Sequence, residues 1–190
     1  MKKILLHICC GPCATYPMEV LQGYGYDVMG YFGNPNIHPY TEYLKRRHSV
    51  EQLAAIKKIK VVYENDYNPV YYFNTIAFRE SKRCFLCYQM RLEQAAHIAK
   101  KGKFDYFTTS LLVSKRQKHD LIKQVGEYTG HKYGIPFLYE DFRIGYEKSR
   151  ESAKEMDLYR QQYCGCLYSE YERWAGRSAV DSVTARKSLT

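Results

Sequence analysis

The sequence predicts an α/β protein: a single domain with a parallel, Rossmann-like sheet of about five strands flanked by helices, and a helical C-terminal part. Three observations predict it. Short apolar runs alternate with longer amphipathic stretches in β-α-β-α order. The 190 residues, 45% of them hydrophobic, suffice for one domain with a real core. The polar and cysteine-rich segments fall where the strands should end, the rim at which parallel sheets take their ligands.

Each element has its own signal. Lys2 to Ile8 is an apolar run that stops at a cysteine-rich turn, which reads as a buried first strand. Thr15 to Leu21 reads as a helix stopped by Gly23 and Gly25. Tyr26 to Phe32 is a second strand, closed by the turn residues Gly33-Asn34-Pro35-Asn36. Tyr40 to Lys58 reads as a long helix with Leu44, Val50, Leu53, Ala54 and Ile56 as its inner face. Lys60 to Tyr63 is a third strand ending at Glu64-Asn65-Asp66, and a helix from about Cys84 to Lys100 follows. Tyr106 to Thr108 is a strand, Gln117 to Tyr128 a helix, and Phe137 to Tyr139 a last strand. From Gly145 onward the chain reads as helical pieces around a Cys-Gly-Cys segment. Residues 1–174 are expected to form one α/β catalytic domain around a metal cluster. The Ser-, Ala-, Thr- and Arg-rich residues 175–190 are expected to be a loosely ordered tail.

Composition removes several classes. No apolar run approaches a membrane span, and the run Ile4 to Cys10 is too short for a signal peptide, so a cytoplasmic location is expected. The seven cysteines are then metal ligands, redox groups or buried thiols, since structural disulfides are uncommon in that compartment. With 29 Lys+Arg against 20 Asp+Glu, the net charge of +9 calls for an anionic partner. The 20 tyrosines interleaved with arginine suit stacking on unpaired bases. Lys45-Arg46-Arg47-His48, Ser114 to Lys118 and Tyr159 to Gln162 are candidate phosphate contacts.

Cys84-Phe85-Leu86-Cys87 is a C-x-x-C at a helix start, where the helix N-terminus favours thiolates. Cys9-Cys10-Gly11-Pro12-Cys13 puts three more thiols at the end of the first strand. If the two segments meet, four or five sulfurs converge on a site for zinc or an iron–sulfur cluster. Zinc normally uses two C-x-x-C knuckles that hold a small fold together, and this fold already has a core, which favours the cluster. Cys164-Gly165-Cys166 is a different device. Thiols one residue apart can close a small, strained and easily reduced disulfide ring, with Gly165 supplying the backbone freedom, or one of them can ligate the cluster. His7 could orient a thiolate or simply pack in its strand. Asp66 and Asp141, both at strand ends, are candidate proton donors or ligands of a second metal, or merely turn or cap residues. Neither a dinucleotide fingerprint nor a phosphate loop is present, and the Ser-Gly-Gly-x-Asp loop of ATP pyrophosphatases is missing from the first strand end.

Taken in order, His7 to Cys13, Asn34 to Pro39, Arg83 to Cys87, Thr108 to Leu112 and Tyr159 to Cys166 resemble the cobalamin-independent epoxyqueuosine reductases. The resemblance runs from residue 1 to about Trp174. It implies reduction of epoxyqueuosine to queuosine at the wobble position of tRNA, on an adenine nucleotide α-hydrolase-like sheet. It also implies a 4Fe–4S cluster on Cys9, Cys10, Cys84 and Cys87, with Cys164 and Cys166 as a redox-active pair. Cys13 is left over, and is a candidate ligand of a second iron together with Asp66 or Asp141. An external electron donor and a tRNA anticodon loop are the implied partners. A zinc-stabilised RNA-binding module and a thiol oxidoreductase acting on proteins are the alternative readings.

Overall fold

In a computed structural model of the chain, residues 1–64 and 66–175 are described; Asn65 and residues 176–190, nearly all of the expected tail, lie outside them. Four parallel strands make the sheet: β1 (Lys3–His7), β2 (Asp27–Phe32), β3 (Val61–Tyr63) and β4 (Tyr106–Thr109), in the order β3-β2-β1-β4. Leu5 is paired with Met29 on one side and Phe107 on the other. Helices α1 (Gly11–Gly23), α2 (Tyr40–Lys57), α3 (Pro69–Ile76), α4 (Arg83–Lys101), α5 (His119–Tyr133) and α6 (Tyr146–Glu155) surround it, and residues 167–175 are also helical. Ile4, Leu5 and Leu6 are fully buried, as a central parallel strand covered on both faces requires.

The fifth strand is not formed. Phe137 makes one parallel bridge to Phe107, flanked by Phe107 N–H to the Pro136 carbonyl and Leu138 N–H to the Phe107 carbonyl. Pro136 has no N–H to extend the ladder. Helix α3 falls between Asp66 and Cys84, where no element is expected from the sequence. Its start is nevertheless written in the chain: the Asn68 side chain accepts the Tyr71 N–H at 3.1 Å, and Pro69 occupies the first turn.

Helix α1 begins four residues before the expected Thr15, with Pro12 in its first turn, so Cys13 lies on the helix just after Cys9 and Cys10. The inner face of α2 also differs from the expected one. Its buried residues are Glu42, Tyr43, Arg46, Ser49, Val50 and Leu53, while Ile56 is half exposed. Apolar periodicity hid this face because a charged pair occupies its middle. Among the described residues no helix is long and apolar enough to cross a membrane.

Gly11 lets α1 approach α2: a Cβ there would lie 2.3 Å from Ser49 Oγ and 2.6 Å from the Ser49 carbonyl oxygen. Backbone cannot yield as a side-chain tip can. Gly11→Ala is therefore expected to lower the unfolding free energy by about 1–3 kcal/mol in urea titrations.

Candidate functional site: a thiol-lined cavity

The strand order reverses between β1 and β4, and the crevice outside their carboxyl ends is where such a sheet binds ligands. Cys9 leaves β1 there. Its N–H donates to Ser110 Oγ at 3.1 Å, and the Ser110 hydroxyl donates back to Cys9 Sγ at 3.4 Å. Cys10 stays extended and α1 then turns the chain, so the sulfurs of Cys9, Cys10 and Cys13 all lie within 4.8 Å of one another. Two sulfurs tetrahedrally bound to one metal at about 2.3 Å stand about 3.8 Å apart. Cys9 and Cys10 stand 3.7 Å apart, a spacing and a donor set that fit a thiophilic metal.

The thiols of this triad are not equivalent. Hydrogen bonds from Cys10 and Cys13, the Arg91 charge and the Ser110 hydroxyl hold Cys9 well below the ordinary thiol value. Burial holds Cys10 well above it. Of the two, Cys9 is the thiol its surroundings favour as the thiolate.

Cys84 and Cys87, in the opening turns of α4, form a second group. Cys84 packs partly buried against the main core. Cys87 sits with Cys166, Tyr72, Ile76 and Met90 in a small satellite cluster, and burial pushes its thiol up to about 12. Among the described residues, the thiols of Cys9, Cys10, Cys84 and Cys87 do not gather within that distance; Cys13 takes the third place beside Cys9 and Cys10. Arg91 joins the two groups. Its Nη1 lies 3.8 Å from Cys87 Sγ, and Nη2 donates to Asn34 Oδ1 at 2.7 Å. Asn34 in turn donates to the carbonyl of Ile8, at the start of the Cys9 turn.

The third thiol segment folds over this rim. Cys164 is exposed, its sulfur accepting from Gln117 Nε2 at 3.2 Å, while Cys13 Sγ accepts from Gln161 Nε2 at 3.2 Å. All seven cysteines, Cys164 and Cys166 among them, are free thiols. Cys9, Cys13 and Cys164 line one cavity of about 600 Å³. Five arginines line it as well, Arg46, Arg116, Arg150, Arg160 and Arg173, and no carboxylate does so among the described residues.

Neither expected aspartate enters that cavity. Asp66 is exposed beyond β3. Asp141 caps the 3₁₀ turn Phe142–Gly145 and is gripped by the Arg143 guanidinium, which holds its carboxyl at about 2. A carboxylate so held stays ionised at neutral pH and has no proton to give. His7 is fully buried with Nδ1 2.8 Å from Thr109 Oγ1, and desolvation lowers it to about 3, so it is neutral.

Comparison with known proteins settles the ancestry. The family profile described as epoxyqueuosine reductase QueH matches residues 4–172. The chain belongs to the QueH family. It is 40% identical over 172 residues to the epoxyqueuosine reductase QueH of Dehalococcoides mccartyi, covering 90% of this chain and 94% of that protein. It is 34% identical to that of Thermotoga maritima, with 91% and 93% covered. Two solved structures share the fold at low identity. The U34-tRNA thiolase NcsA of Methanococcus maripaludis, solved with its [4Fe-4S] cluster, has a TM-score of 0.58 at 12% identity, covering 97% of this chain and 67% of that one. A predicted subunit of tRNA methyltransferase from Methanocaldococcus jannaschii has a TM-score of 0.52 at 13% identity, covering 82% and 75%. The sheet of this QueH chain is thus parallel and four-stranded, within a fold shared with those two structures.

Three groups join the QueH motifs: Arg91, which sequence reading missed, and Arg46 and Gln117, which it placed in candidate phosphate-contact runs, whereas Arg46 is buried on the Tyr163 and Cys164 carbonyls and Gln117 donates to Cys164 Sγ. Arg46 stands four residues after Glu42 and Arg91 four after Cys87, one helical turn in each case, and that spacing is the signal that could have found them.

His38 anchors the loop under Cys164-Gly165-Cys166. It is buried, stacked on Phe73 with ring centroids 4.7 Å apart, and desolvation lowers its imidazole to about 4. The unfolded chain therefore takes up the His38 proton first. The stability it contributes is complete above about pH 6.5 and is lost as pH falls toward about 4. His38→Phe keeps the stack and removes the titration, so its urea midpoint should fall less between pH 7 and pH 4.5 than the wild-type one does.

Proposed function

We propose that this QueH chain is an epoxyqueuosine reductase, an oxidoreductase that removes the epoxide oxygen of epoxyqueuosine at the wobble position of tRNA, the last step of queuosine biosynthesis. The observation that carries the reading is the single cavity shared by the Cys9, Cys13 and Cys164 thiols with five arginines and, among the described residues, no carboxylate. The names of its curated relatives supply the substrate and the reaction. We take residues 1–174 as one catalytic domain working in the cytoplasm, where thiols stay reduced.

Opening an epoxide to an alkene consumes two electrons and two protons and releases water. Oxidation of the Cys164 and Cys166 thiols to a disulfide supplies two electrons and two protons, and an external electron donor then restores the dithiol. Cys9, Cys10, Cys84 and Cys87 would hold a 4Fe–4S cluster, and Cys13 would be free for a second iron. Such a cluster supplies one-electron transfer when bound. Arg91 faces both cysteine groups and offsets the negative charge that four thiolates gather in a dry site.

The arginines answer the substrate's other feature. A wobble base in an anticodon loop is already unpaired, so presenting it to a cavity costs little. Arg116, Arg150 and Arg160 are exposed at that cavity and meet the flanking phosphates, and Tyr146, held beneath Lys115 and Arg150, offers a ring for stacking.

The decisive test is anaerobic incubation of the protein with epoxyqueuosine-containing tRNA and a reductant, followed by nucleoside mass spectrometry. Loss of one oxygen atom's mass is expected; an unchanged nucleoside from a brown, cluster-loaded protein refutes the reading, as does a colourless protein loaded with zinc. Cys164→Ser should keep the colour and lose turnover. Arg116→Gln and Arg150→Gln should each weaken tRNA binding and reduce the slope of log affinity against log salt by about one.

A further inference from the structure

The Cys164-Gly165-Cys166 segment has almost no backbone freedom, although no secondary structure holds it. Three consecutive carbonyls are bound from outside: Tyr163 by Arg46 Nη2 at 2.9 Å, Cys164 by Arg46 Nη1 at 2.8 Å, and Gly165 by the His38 N–H at 2.8 Å. The Gly165 N–H donates to Ser169 Oγ at 3.2 Å, and the Tyr163 hydroxyl closes the loop onto the His38 carbonyl. At Gly165, φ is +144°, and a Cβ there would come within 3.3 Å of Arg46 Nη1.

Arg46 itself is held from behind. Its Nε donates to Glu42 Oε1 at 2.7 Å, the other Glu42 oxygen accepts the Tyr159 hydroxyl at 2.6 Å, and the guanidinium lies 5.5 Å from the Tyr163 ring centre. Its side chain is 1% exposed and also borders the cavity. A planar fork spans two successive carbonyls with two nitrogens while its third holds Glu42; an ammonium has its donors on a single nitrogen and lacks that fixed spread.

We propose that Arg46 is the positioning residue of the redox pair. It holds the backbone so that the two thiols stand in different surroundings, Cys164 on Gln117 at the cavity and Cys166 beside Tyr72 and Cys87. The clamp thereby favours the dithiol over the closed ring and keeps the pair reduced between turnovers. This rests on the reading of Cys164 and Cys166 as the reductant.

The test uses anaerobically purified protein equilibrated with mixtures of reduced and oxidised dithiothreitol. Free thiols are then alkylated, and the peptide carrying Cys164 and Cys166 is weighed. Arg46→Lys and Arg46→Gln should both shift the ring-closure equilibrium toward disulfide by about tenfold. Tyr159→Phe, which loosens Glu42 without touching Arg46, should shift it less in the same direction, and serves if the Arg46 variants do not fold. Turnover should fall in both Arg46 variants while the KM for tRNA stays within about twofold. Wild-type ring closure in folded Arg46→Lys and Arg46→Gln proteins overturns the clamp, and recovery in Arg46→Lys alone overturns it too, because charge would then suffice. A wild-type pair that never closes in any mixture overturns the redox assignment, and the clamp with it.

Discussion

Arg46 and Arg91 are each 1% exposed, and a guanidinium stripped of water must recover its lost hydration from fixed acceptors. That requirement dictates much of the rim. Arg46 finds one carboxylate and two carbonyls of the C-terminal segment, which draws that segment down onto α2. Arg91 finds Asn34 and the Cys87 sulfur, which ties α4 to the turn after β2. Each cation therefore bonds parts of the chain far apart in sequence. Leaving either unpaired in the interior would cost several kcal/mol, so the contacts are obligatory once the helices pack.

The same two charges suit what they surround. A sulfur-rich site gathers negative charge as its thiols ionise, and desolvation opposes that gathering, as Cys10 and Cys87 show. Cys9 escapes because it accepts hydrogen bonds from Cys10, Cys13 and Ser110 with Arg91 nearby. The absence of carboxylates from the cavity lining, among the described residues, acts in the same direction. Fixed negative charge at the cavity mouth would oppose ionisation of the thiols behind it.

The sheet decides where all this happens. Parallel strands send their carboxyl ends to one edge, so four of the five sequence segments that resemble the family, at Cys9, Asn34, Cys84 and Ser110, reach one rim. The fifth, Tyr159 to Cys166, reaches it only because Arg46 and His38 bind its carbonyls. Where the expected fold was wrong, the cause was local. Pro136 ended a strand, and a buried Glu42–Arg46 pair disguised the inner face of α2.

The sequence by itself determined the α/β class, the alternation of strands and helices, the cysteine groups and the excess of positive charge. Each of these is a property of residue type and spacing, and alternation, C-x-x-C spacing and net charge survive without coordinates. Only the tertiary structure decided that Cys13 stands with Cys9 and Cys10, that Asp66 and Asp141 stay outside the cavity, and that Arg46 and Arg91 are buried, Arg46 at the cavity wall and Arg91 between Cys87 and Asn34. Those depend on which helix face turns inward and on which distant carbonyl meets which donor. A charged residue reads as surface until packing supplies its partners.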